Sequence, residues 1–133
     1  MDDCRERFIK NFMKKISGII EKGLGLGKKI SYPTINIVAP KDESGSGVYV
    51  CKVKIPDRED VFGAGYFGEK SQLPADKFIC EVFLFGENFD NLYGKFVEVE
   101  LLEKIRDVQK TKNLEELKKL ISSDVKFIHD RFF

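Results

Sequence analysis

Six short extended runs separated by turn chemistry fill residues 12–102, and only after them does the apolar period change to that of a helix. The first run, FMKKISGIIE at 12–21, becomes β-branched in its second half and stops at the glycines of GLGLG. Pro33 forces Tyr32 out of helical geometry, so YPTINIV is extended and starts a second strand. In VYVCKVKI, Tyr49, Cys51, Val53 and Ile55 share one face while Lys52 and Lys54 take the other, the pattern of a half-buried strand with its lysines in water. VFGAGYFG is glycine-rich and expected to bend or bulge. KFICEVFLF is apolar on both faces and reads as a central strand, and FVEVELL alternates Val97, Val99 and Leu101 against Glu98 and Glu100. Strands this short and this closely spaced predict a mainly β protein, a small antiparallel barrel over residues 12–102.

Residues 113–129 have a different period. Asn113 precedes Glu116 in a near capping box, and Leu114, Leu117, Leu120, Ile121, Val125 and Ile128 recur at helical spacing. An amphipathic helix is expected to pack on the barrel and close an open end. Residues 1–11 are mostly charged and form an N-terminal extension with no assigned role. At 133 residues the sequence fits one domain. Lys and Arg number 23 against 22 for Asp and Glu, so no basic field exists to attract nucleic acid, and no nucleic-acid partner is expected. No apolar run approaches the roughly 20 residues that span a bilayer, and the first residues hold no apolar signal core. A cytoplasmic protein without a membrane partner, and a monomer, is expected. Cys4, Cys51 and Cys80 lack CxxC spacing and His129 is the single histidine, which excludes a structural zinc site of the usual kind and predicts reduced thiols.

Three features carry candidate chemistry. Gly23, Gly25 and Gly27 followed by Lys28 and Lys29 could cradle a phosphate on backbone N–H groups and neutralise it, although the spacing fits neither the P-loop nor the dinucleotide pattern, and a plain hairpin loop reads equally well. Thr34 and Asn36 stand two apart in an extended segment, so a hydroxyl and an amide oxygen project from one face. Such hard oxygens suit Mg²⁺, while two side chains satisfying a turn would look the same. Glu81 shares a face with Ile79, Phe83 and Phe85, where a carboxylate loses hydration; the readings are a general base with a raised pKa, or a solvent-facing Glu with a lysine partner.

The order of these motifs resembles the riboflavin kinase (flavokinase) family. GLGLGKKISYPTINI looks like its glycine and basic loop followed by PTxN, and GVY at 47–49, the glutamate in ICEVFLF, NLYGK at 91–95, Ile105 with Arg106, and Asp124 follow in family order. The resemblance implies a six-stranded antiparallel Greek-key β-barrel with a C-terminal amphipathic helix packed on it. It also implies ATP-dependent transfer of the γ-phosphate to the 5′-hydroxyl of riboflavin, giving FMN and ADP, with Mg²⁺ or another divalent metal. On that pattern Gly23, Gly25, Gly27, Lys28 and Lys29 bind the nucleotide, Thr34 and Asn36 the metal, and Arg106 lies by the flavin, while Glu81 is the catalytic base. The length leaves no room for the adenylyltransferase domain of many bacterial members, so a stand-alone kinase is expected. Departures from the pattern include Leu26 for an arginine, Ser31 for a glycine, Ser71 and Gln72 for Pro and Thr, Phe83 for a histidine and Val108 for a glutamate. They motivate an alternative: a flavin- or nucleotide-binding module that keeps the barrel without turnover.

Overall fold

The computed structural model describes residues 14–22, 33–86 and 92–133. The extension at 1–11, the first residues of the initial run, and the glycine-lysine loop lie outside the described residues. Six strands, β1 (Lys14–Ile19), β2 (Thr34–Pro40), β3 (Gly47–Lys54), β4 (Val61–Gly68), β5 (Lys77–Leu84) and β6 (Phe96–Arg106), precede one helix, α1 (Leu114–Phe132). All pairings are antiparallel and the sheet order is β1-β6-β3-β4-β5-β2. β3, β4 and β5 form a meander, and β6 returns past it to lie beside β3, which is Greek-key connectivity. The two edges meet where Glu21 N–H donates to the Asn36 carbonyl at 2.8 Å, so the barrel is nearly closed.

Alternation decides what fills it. Ile35 and Ile37 of β2, Cys51 and Val53 of β3, Phe67 of β4, Cys80 and Val82 of β5, and Val97, Val99 and Leu101 of β6 join one buried cluster inside the barrel. β4 spans the residues its glycine-rich sequence predicts, but its ladder with both neighbours runs without a register shift. Its glycines serve close approach instead: a Cβ on Gly63 would run into the Phe83 carbonyl oxygen, and one on Gly65 into the Cys51 sulfur. The irregularities fall between β3 and β6, at Val48/Tyr49 and at Val50/Cys51. Two bulges give β6 extra coil and carry it to Arg106, four residues beyond the alternating FVEVELL.

The helix also departs from expectation. Rather than closing an end, α1 lies along the outer face: Ile128 and Phe132 pack with outward-facing Val50, Ala64 and Leu102, and Ile121 packs on Phe83. Strands β3 to β6 present apolar outward residues there, so the stripe buries most area along the side. The capping prediction holds, with Asn113 Oδ1 accepting from the Glu116 N–H at 2.9 Å.

β3 is not half-buried. Every residue but Lys54 is buried, including Lys52, whose Nζ lies 3.2 Å from Glu100 Oε1 on β6. The two side chains are cross-strand partners, 8% and 4% exposed, and Asp60 and Lys54 add longer contacts. Breaking such a pair strands one buried charge, which typically costs about 3–5 kcal/mol, whereas replacing both members with apolar residues is often neutral. Glu100→Ala should therefore lower stability in urea denaturation by about that amount. The double variant Lys52→Met/Glu100→Leu should recover most of the loss; a double variant as unstable as Glu100→Ala would show that the pair does not behave as a buried unit.

Candidate active site

One lateral row organises the chemistry. Asn36 of β2 pairs with Glu81 of β5, and Glu81 pairs in turn with Tyr66 of β4, so the three side chains stand abreast on the outer face of the barrel. Thr34, Phe83 and Ala64 form the next row on that face. The sequence segments 34–36 and 81, forty-five residues apart, become neighbours through this register.

Glu81 faces a cavity of about 930 Å³ between the barrel, the loop at 69–75, the connection at 108–111 and the first half of α1. Its apolar walls come from Phe78, Phe83, Leu117, Leu120 and Ile121, and its polar ones from Tyr66, Lys70, Arg106 and Asp124 among others. The Glu81 side chain is 8% exposed, and Lys70 Nζ stands 3.7 Å from Oε2. Both sequence readings are thus partly met: the carboxylate is buried among apolar neighbours and has a lysine beside it. Burial pushes its pKa above the ordinary carboxylate range, and the charge of Lys70 opposes that rise without cancelling it. The Tyr66 hydroxyl donates to the Glu69 carbonyl at 2.7 Å, and burial raises its pKa as well. The thiols of Cys51 and Cys80 lie inside the barrel, where burial drives Cys80 up to about 12.

Asn36 is buried and its Oδ1 accepts no hydrogen bond from the described residues, so a buried amide oxygen without a described partner stands beside Glu81. A turn role for Thr34 and Asn36 does not describe this arrangement, since both lie within a strand. A buried oxygen with a spare lone pair, with a hydroxyl two residues away and a carboxylate opposite, fits a small hard cation. The glycine-lysine loop that precedes them is outside the described residues. Its flanks are fixed nearby: Glu21 bridges Asn36, and the Pro33 carbonyl accepts from the Leu84 N–H at 2.8 Å.

Arg106 reaches the cavity, but its guanidinium is engaged. Nε and Nη2 donate to Asp124 Oδ1 and Oδ2 at 2.9 and 2.8 Å, and Nη1 donates to the Asp107 carbonyl at 2.9 Å. The carboxylate partner of Arg106 thus comes from the helix, eighteen residues on, and not from Glu103 or the Asp107 side chain beside it in the chain. Sequence reasoning gave no role to Tyr66, Lys70 or the Asp124 partnership, because each depends on register or loop path. The only available signal was Asp124, an acid amid the apolar stripe of the helix.

Comparison with known proteins agrees with this geometry. Residues 11–132 match the family model "Flavokinase: Riboflavin kinase". The bifunctional riboflavin kinase/FMN adenylyltransferase of Buchnera aphidicola is 36% identical over 121 residues, covering 88% of this chain and 38% of that protein. The RNA-binding riboflavin kinase RibR of Bacillus subtilis is 31% identical, covering 90% of this chain and 52% of that protein. The crystal structure of a protein described as a macrolide-efflux protein from Streptococcus pneumoniae superposes with a TM-score of 0.70 at 28% identity, over 90% of this chain and 39% of that one. The chain thus spans from about two-fifths to half the length of these curated relatives. With the family model covering nearly every residue, including all six strands and the helix, this chain belongs to the riboflavin kinase family.

Proposed function

We propose that this protein transfers the γ-phosphate of ATP to the 5′-hydroxyl of riboflavin, giving FMN and ADP. The single observation that carries this reading is the row in which buried Glu81, on the wall of the cavity, pairs across the sheet with Asn36, whose buried Oδ1 has no partner among the described residues. A tricyclic ring system would enter the cavity lined by Phe83, the first half of α1 and Arg106, with its ribityl chain leading toward Glu81. The 5′-hydroxyl oxygen attacks the γ-phosphorus, the bond from that phosphorus to the β,γ-bridging oxygen breaks, and the hydroxyl proton passes to the Glu81 carboxylate. Thr34 and Asn36 would hold Mg²⁺, which when bound neutralises charge on the phosphates being transferred. Gly23, Gly25, Gly27, Lys28 and Lys29 would supply the phosphate contacts of the nucleotide. Catalysis then rests on positioning and electrostatics, with Glu81 held in a dry setting that strengthens its affinity for a proton.

Incubation with riboflavin and MgATP followed by chromatography for FMN tests the reaction, and a folded protein that forms no FMN defeats it. Glu81→Gln keeps the shape but accepts no proton, so kcat should drop by ~10²- to 10⁴-fold with the fold intact by circular dichroism. Undiminished turnover in that variant would remove Glu81 as the base.

The same variant has a stability signature. Because the folded pKa of Glu81 is raised, its contribution is fully present below the ordinary carboxylate pKa and is lost as pH rises through the folded value. At neutral pH the parent bears that cost and the amide does not, so Glu81→Gln should melt higher than the parent, with the gap closing in acid. A gap that stays constant from acid to neutral pH would contradict this origin.

Thr34→Val and Asn36→Ala should each remove the Mg²⁺-dependent part of ADP binding in calorimetric titrations while leaving riboflavin affinity as in the parent. Equal MgADP affinity in both variants and parent would leave the two side chains with a purely structural role.

A further inference from the structure

α1 meets the barrel unevenly. Its C-terminal half is packed through Ile128 and Phe132 onto Val50, Ala64 and Leu102, whereas in its N-terminal half Ile121, with Leu117 against it, packs on Phe83, and Leu117, Leu120 and Ile121 also line the cavity. Asp124 stands between these two packing contacts, one turn from Ile121 and one turn from Ile128. It is buried, and its two oxygens take the fork of Arg106 from the last residue of β6. The remaining nitrogen of the same guanidinium holds the Asp107 carbonyl, which begins the connection contributing Val108 and Thr111 to the cavity. One planar group therefore ties three walls together: strand end, connection and helix.

We propose that Asp124 is a positioning residue that, through Arg106, fixes the width of the flavin cavity. The inference rests on the riboflavin reading above. The physical reason lies in what a buried ion pair is good for. Apolar side chains of similar volume would join helix to barrel as stably, so the pair is not explained by stability alone. A bidentate arginine-carboxylate contact instead sets both distance and angle, and apolar packing, being non-directional, would let the first half of α1 slide over Phe83 and carry Leu117 and Leu120 into the cavity. With the helix fixed at that distance and angle, Leu117, Leu120 and Ile121 bound a cavity that a planar ring can enter without first opening it, which lowers the cost of binding.

The two roles open to Arg106 make opposite predictions for Asp124→Asn. If Asp124 fixes the cavity, riboflavin affinity by flavin fluorescence titration should fall by roughly tenfold or more, MgADP affinity should stay within about twofold, and amide exchange over residues 114–121 should quicken. If Arg106 acts only as a direct ligand of the ring, freeing its guanidinium would leave riboflavin binding as tight as in the parent or tighter, and that result overturns the proposal. Ile128→Val loosens the packed half of the helix without touching the clamp; it should lower the melting temperature and leave riboflavin affinity unchanged. An equal loss of affinity in that control would reduce Asp124 to general support of the helix and also overturn the proposal. Should Asp124→Asn fail to fold, Asp124→Glu keeps the charge while lengthening the link, and unaltered riboflavin affinity there is again fatal. A parent protein that binds no riboflavin defeats the functional reading separately, and the exchange comparison still decides whether Asp124 fixes the helix.

Discussion

The register of β5 between β2 and β4 is the constraint from which the rest of the site follows. Side chains alternate along a strand, so pairing Glu81 with Asn36 on one side and Tyr66 on the other settles at once which residues look outward. A slip of one residue would turn Glu81 into the barrel and bring Cys80 and Val82 out of the buried interior cluster to which they belong. The cost of burying a carboxylate there and exposing that apolar surface makes the observed register the only economical one. Thr34, Asn36, Glu81 and Phe83 are then held by backbone hydrogen bonds rather than by loops, which suits groups that must keep their spacing during a reaction.

Around that fixed row the other walls are added by elements of different stiffness. β6 is carried past the alternating segment by two bulges, and its last side chain leaves the sheet toward the helix. α1 is capped by Asn113 at its start and anchored by Ile128 and Phe132 near its end. The cavity lies between these elements, with apolar side chains from both barrel and helix and charged groups from Lys70, Glu81, Arg106 and Asp124 on its walls. Apolar side chains supply most of the cavity wall, and a few polar groups, Glu81 among them, supply its directional contacts.

The charges show why polarity alone is a poor guide to exposure. Lys52 and Glu100 look like the solvent faces of their strands, yet each is the cross-strand partner of the other and both are buried. Glu81 and Asp124 are likewise buried acids, each with a basic partner drawn from a distant segment, Lys70 and Arg106 respectively. In all these cases the partner lies at least eleven residues away along the chain, so a local reading of the sequence cannot tell a solvated charge from a paired one.

The strand count, the alternation in each run, the capped C-terminal helix and the oxygen pair at Thr34 and Asn36 are determined by the sequence, because period, turn chemistry and capping act over a few residues. The motifs likewise identify the family, since their order along the chain needs no third dimension. Tertiary structure alone decided that α1 lies along the side of the barrel, that β3 is covered on both faces, and that the glycines of β4 serve close packing without a bulge. It also decided that Asn36 faces Glu81 and that Arg106 is held by Asp124. Each of these depends on which surfaces meet, and burial and pairing energies are set by neighbours that the chain brings together only when it folds.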